Sequence, residues 1–235
     1  MYTFFAASER WISNIDWLNT RFSFSFAEYY NPERMWFGTL RVLNDDTISG
    51  WKGFWMHPHQ DMEIITIPFS WSLEHKDSMW NHGIIKVWEV QSMSAWSGIL
   101  HSEINADVST PVSLFQIWIQ TKYTWIIPQY SQKYFDASKR INTWQLVAQS
   151  EDSEKTVKIN QDAYISRTTL NTWKSLEYQK YVSKNIVYIM NISWEFQIDT
   201  HILSSKDALW VEWDTKINIT SLETSDILVI EVPKN

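Results

Sequence analysis

The chain has 235 residues, no cysteine, a formal charge of −7 and a pI near 5.4. A disulfide framework and thiolate metal ligands are therefore excluded, so any metal must be held by His, Asp, Glu or backbone oxygen; the acidic balance argues against a general nucleic-acid binder, which needs a basic face. The length suits one large all-β domain or two small ones, and 44% hydrophobic residues supply material for a sizeable core.

In chain order, the opening Met1–Trp11 has no basic region ahead of an extended apolar stretch, so it does not read as a signal peptide. No window is apolar for long enough to cross a bilayer, and the expectation is a soluble, cytoplasmic monomer. Strand signals then dominate. Glu63–Ile67 and Leu114–Ile119 are apolar, β-branched or aromatic runs of strand length. From about Pro128 to Ser153 the sequence turns polar, with Asp136–Arg140 as a short turn of helix. A second strand-rich stretch starts near Val157 and includes Ile186–Met190 and Ile227–Ile230. Ile217-Asn218-Ile219-Thr220 alternates apolar and polar residues, as a half-buried strand does. Polar clusters punctuate these runs at the intervals of a sandwich or barrel, giving two all-β halves, 1–135 and 136–235.

Two short motifs carry chemistry. In His57-Pro58-His59 the imidazoles are two residues apart, which on a strand places both on one face; Pro58 then faces the other way, and its missing N–H suggests an edge or a bulge. His101-Ser102-Glu103 repeats the spacing with an imidazole and a carboxylate. If the two strands are close, three nitrogens and one oxygen converge, a set suited to a borderline divalent ion. By itself the spacing leaves solvated or core histidines as an equal alternative.

The surrounding residues narrow the choice. Arg21–Phe26, Leu40–Asp46, His57–Glu63, Glu74–Met79, Gln91–Ala95, Gly98–Asn105 and Gln116–Ile119 resemble the pirin family in order and spacing, densely from about residue 16 to 136 and more loosely beyond. The resemblance implies a bicupin: two antiparallel β-barrels (double-stranded β-helices) packed face to face, with metal only in the N-terminal one. It implies His57, His59, His101 and Glu103 as ligands of one divalent ion, Fe(II) first, with Mn, Ni, Co, Cu or Zn compatible. Glu63 lies where many other cupins carry a carboxylate ligand and is the runner-up. The implied activity is quercetin 2,3-dioxygenase, with a flavonol and dioxygen as partners and Glu103 as catalytic base. Phe54 and Met93 are candidates for the pocket wall. The alternative is a metal-dependent interaction or regulatory protein with a protein partner and no turnover. His201, the one histidine of the second half, is expected at the surface.

The chain departs from the family in one systematic way. It has 16 Trp and only 5 Gly, none after Gly98. At Trp36, Trp55, Trp71, Trp80, Trp88 and Trp96 similar proteins carry glycine, and Trp194, Trp210 and Trp213 sit in similar contexts. Asp77–Asn81 and Glu212–Asp214 read as turns, where positive φ penalises a bulky side chain. The pattern points to an engineered or altered chain rather than to drift. Trp17 and Trp118, by contrast, fit the family and are expected in the core.

Overall fold

The computed structural model describes residues 2–95, 98–124 and 127–234. The described residues form 22 β-strands and three short 3-10 helices, and they group into two compact units. One comprises residues 10–135 and 151–161; the other comprises 1–9, 136–150 and 162–235.

In the first unit a seven-stranded antiparallel sheet runs in the order Gln129–Tyr134, Glu89–Ser94, Met62–Ser70, Val112–Gln120, Leu40–Ile48, Leu18–Phe22, Trp11–Ile15. A four-stranded sheet runs Gly53–His59, Ile99–Asn105, Ser72–Asp77, His82–Lys86. Leu18, Ile48, Val112 and Leu114 of the larger sheet share one buried cluster with Leu73 and Ile85 of the smaller. The Pro58 strand is indeed an edge, and its register against Ile99–Asn105 shifts between His101 and Glu103. An edge leaves the absent proline N–H without a ladder bond to lose.

The second unit repeats the plan. Its larger sheet carries, in order, Tyr2–Phe5, Ala208–Val211, Ile186–Ser193, Ser225–Val232, Tyr164–Leu170 and Gln145–Gln149. Its smaller sheet runs Ser175–Gln179, Lys216–Ser221, Phe196–Ile198, His201–Leu203. The continuous apolar run Ile186–Met190 is buried throughout, because it lies on a central strand. In Lys216–Ser221, Ile217 and Ile219 are buried and Asn218 is exposed, as the alternation predicts. The helical turn expected at Asp136–Arg140 is a 3-10 helix, Ala137–Arg140, capped by the Asp136 side chain on the Ser138 N–H.

The expectation of closed barrels is corrected by the sheet topology. The protein is all-β and cupin-like, but every sheet is open and ends on two separate edge strands. In the first unit the edges of the large sheet are Trp11–Ile15 and Gln129–Tyr134, and those of the small sheet are Gly53–His59 and His82–Lys86. An alternating strand buries one face equally well in a closed barrel and in two stacked open sheets. Closure depends on hydrogen bonds between the first and last strands, about which a strand's own pattern says nothing.

The tryptophans divide. Trp71, Trp80, Trp88 and Trp194 have positive φ, as do Trp51 and Trp173, whereas Trp36, Trp55, Trp210 and Trp213 are not among the positive-φ residues. The positive φ expected at such turns is thus present at Trp80, whereas Trp213 lies on a bend between two strands without it. Trp96 lies outside the described residues. Trp17 and Trp118 are half-buried and pack against core clusters.

Candidate metal centre

Cross-strand pairing brings the two histidine motifs together. His101 lies opposite His57, and Ile99 opposite His59. His57, His59 and His101 offer ligand atoms that all lie within 4.8 Å of one another. His59 and His101 are buried and His57 is half-buried. Glu103 is 3% exposed; its ligand atom groups with those of His101 and His75, again within 4.8 Å, and its side chain borders the same cleft as His57 and His59. The register shift between His101 and Glu103 leaves Glu103 opposite Phe54.

The hydrogen bonds set the chemical state of this cluster. Nδ1 of His57 lies 2.7 Å from the Trp55 carbonyl oxygen, which can only accept, so Nδ1 carries the proton and Nε2 the lone pair. That Nε2 is 3.0 Å from Nε2 of His101. Two imidazole nitrogens at this distance need a proton or a cation between them. Burial, followed by the neighbouring His101 and His57, pushes His59 down to about 3. Burial, followed by His57 and His75, pushes His101 down to about 2. Both rings are neutral at physiological pH, the state in which imidazole binds metal. Glu103 accepts from Thr66 Oγ1 at 3.0 Å on one oxygen and from Gln116 Nε2 at 2.8 Å on the other. Three imidazoles, with the held Glu103 carboxylate beside them, fit a divalent cation, and the donor set alone selects no single metal.

The cleft beside this cluster is walled by Phe26, Phe54 and Trp118, with Asn44, Asp46 and Gln116 as its polar contributors. Burial raises the Asp46 carboxyl to about 7, and the nearby Asp45 and Glu103 carboxylates add to the rise.

Known proteins align with this arrangement. Residues 6–119 match the family described as Pirin, and residues 146–232 match the Quercetinase C-terminal cupin domain. The chain is 36% identical over 228 residues to quercetin 2,3-dioxygenase of Escherichia coli K12, covering 97% of this chain and 96% of that protein. The chain belongs to the pirin family. A pirin-like protein of Caulobacter vibrioides is 33% identical over 216 residues, 92% of each chain. Among solved structures, the E. coli bacterial pirin YhhW in complex with nickel(II) superposes with a TM-score of 0.94 at 34% identity, covering 100% of both chains.

Other candidates in this pirin fall away from the cluster. Glu63 is fully buried but accepts from Ser94 Oγ at 2.7 Å, and among the described residues it joins no group with the histidines. Its parity matches His57 and His59 only if one strand continues. Instead the chain turns at Gln60–Asp61, where Asp61 has φ 57, and enters the other sheet. Phe54 lines the cleft; Met93 packs in the core with Ile64, Ala95 and Ile99. His201 is half-buried, its ring edge-on to Tyr2 at 5.5 Å. Sequence reasoning assigned no role to Thr66, Gln116, Asn44, Asp46 or His75. For Gln116 and Thr66 the available signal was a polar residue inside an otherwise apolar strand.

Proposed function

We propose that this pirin is a metal-dependent dioxygenase that opens quercetin-like flavonols, with His57, His59, His101 and Glu103 holding one divalent ion, Fe(II) first among the candidates. The metal half is the N-terminal cupin, 1–135, and the half at 136–235 carries no ligands. The observation that carries this reading is the convergence of three imidazoles, with a buried carboxylate next to them, beside an aromatic-walled cleft. Support comes from the E. coli relative named quercetin 2,3-dioxygenase, which matches along nearly its full length.

When bound there, a divalent ion supplies Lewis acidity that stabilises a deprotonated flavonol hydroxyl and assists electron transfer to dioxygen. Glu103 takes the 3-hydroxyl proton. Thr66 and Gln116 restrain both of its oxygens, so the carboxylate is presented in one orientation. His57, His59 and His101 position rather than transfer protons, since two of them stay neutral to well below physiological pH. Phe26, Phe54 and Trp118 offer flat apolar faces to a planar aromatic ligand and keep water from it.

The test is to load the protein with Fe, Mn, Ni, Co, Cu or Zn, add quercetin under air, and follow flavonol absorbance and carbon monoxide release. Metal-dependent bleaching with carbon monoxide is expected. No turnover with any of these ions removes the dioxygenase reading.

A further inference from the structure

A second His-x-Asp motif lies beside the first and is used by nothing described so far. On strand Ser72–Asp77, His75 pairs with Glu103 and Asp77 pairs with His101. The four side chains are 0%, 3%, 7% and 1% exposed, in the order His75, Glu103, Asp77, His101, so they share the interior face of two adjacent strands. Asp77 is fixed from three directions: Oδ1 accepts from the N–H groups of Met79 at 2.9 Å and Asn81 at 3.0 Å, and Oδ2 accepts from Asn81 Nδ2 at 2.8 Å. That same Oδ2 lies 3.4 Å from His75 Nε2, and the Tyr130 ring covers His75 with centroids 4.9 Å apart.

An anchored carboxylate can only accept, so it selects the His75 tautomer with the proton on Nε2 and the lone pair on Nδ1. His75 Nδ1 is buried and has no hydrogen-bond partner, and the same is true of His101 Nδ1. When a metal ion takes the Nε2 lone pairs of His57 and His101, the His101 proton sits on Nδ1. The two rings are 5.2 Å apart between centroids. One ring therefore carries an orphaned buried donor and its neighbour an orphaned buried acceptor, each costly alone and each the remedy for the other.

We infer that His75, backed by Asp77, is a positioning residue that holds the tautomer and orientation of His101 at the metal site. The inference rests on the metal-site reading above. Ligating histidines are commonly oriented by a partner on their second nitrogen, and loss of that partner typically weakens metal binding by 10–100-fold.

The test measures Ni(II) affinity by chelator competition, the ligand-field spectrum of the Co(II) protein, and thermal unfolding of the metal-free protein. The variants are His75→Phe, which keeps a flat ring without a lone pair, His75→Gln, which keeps an acceptor, and Asp77→Asn. His75→Phe is expected to lower affinity about 10–100-fold, with the Co(II) coordination number unchanged and the metal-free protein still unfolding cooperatively. His75→Gln should recover part of the loss, and Asp77→Asn should fall between. Affinity of His75→Phe within twofold of wild type overturns the inference. So does a drop in coordination number, which would make His75 a ligand. Wild-type protein that takes up no metal would sink the site reading itself.

An independent observation concerns the tryptophans. Trp51, Trp71, Trp80, Trp88, Trp173 and Trp194 have φ between 54° and 72°, the left-handed region that L side chains avoid and glycine adopts freely. All six are between 42% and 93% exposed, so deep packing of the indoles does not offset the backbone conformation. Drift away from glycine would scatter over many residue types; here one type recurs. We infer that the source cell inserts glycine at these six positions, through a UGA codon that is read as tryptophan in one variant genetic code and as glycine in another. Peptide mass spectrometry of the protein isolated from its source cells tests this. Glycine at all six positions is expected, and tryptophan at any of them overturns it. The chain with all six changed Trp→Gly is also expected to unfold at higher temperature than the chain with six tryptophans; equal or lower stability counts against the inference.

Discussion

Removing the Gln116 amide from Glu103 should be felt twice, in folding and in metal binding, and by amounts that the hydrogen bonds specify. Gln116 Nε2 donates to one oxygen of a carboxylate that is 3% exposed, and Thr66 donates to the other. A hydrogen bond to a buried charged group contributes about 1.5–3 kcal/mol, against about 0.5–1.5 for a neutral pair. Gln116→Leu, of similar reach but without a donor, should therefore destabilise the metal-free protein by about 1.5–3 kcal/mol. In a Glu103→Gln background the same change should cost only about 0.5–1.5 kcal/mol, because the acceptor is no longer charged. The double-mutant cycle then yields a coupling on the order of 1–2 kcal/mol, well outside the roughly 0.3–0.5 kcal/mol within which independent sites add. Urea unfolding of chelator-treated protein, with m compared across the four proteins, supplies the numbers. Additivity within that limit would refute the view that Gln116 serves the carboxylate. With metal present, Gln116→Leu should also bind the ion more weakly, by about 10–100-fold.

Three further outcomes are expected. His57→Ala should abolish the stabilisation conferred by added metal, which for a ligand at a hundred times its Kd is about 2.7 kcal/mol; calorimetry with and without Ni(II) reads this, and an undiminished shift would remove His57 from the site. Burial raises Glu63 from 4.5 to about 7, so the folded state keeps a proton that the unfolded chain releases, and wild-type stability falls as pH rises from 4.5 to about 7. Glu63→Gln has no such proton to lose, and its stability relative to wild type should rise across that window by about 3 kcal/mol; a flat difference between the two pH profiles would contradict the shift. In the second unit, fully buried Glu231 accepts from Tyr178 Oη, the N–H groups of Tyr181 and Val182, and Asn185 Nδ2. Glu231→Ala orphans these donors and should cost more than about 4 kcal/mol in urea unfolding, at about 1–3 kcal/mol for each group left unsatisfied.

Much of the site was legible in the sequence because its ingredients are local. A two-residue spacing on a strand puts His57 with His59, and His101 with Glu103, whatever sheet the strands join. The strand character of Ile186–Met190, Ile217–Thr220 and Ile227–Ile230 was legible for the same reason: burial of alternate or of all side chains is written into each segment. The capped turn at Asp136 needed only the side chain and a backbone N–H two residues on. What the sequence could not supply was the pairing between segments far apart in the chain. Tertiary structure decided that His101 faces His57, that a bulge shifts Glu103 opposite Phe54, and that the turn at Asp61 carries Glu63 away. It also decided that the sheets stay open, since closure lies in hydrogen bonds between their outermost strands. His75 and Asp77 show the limit most clearly: their spacing is as regular as that of the other two motifs, but only the register of the neighbouring strand makes them partners of His101 and Glu103. Periodicity fixes which face a side chain occupies, and long-range register fixes what it meets there.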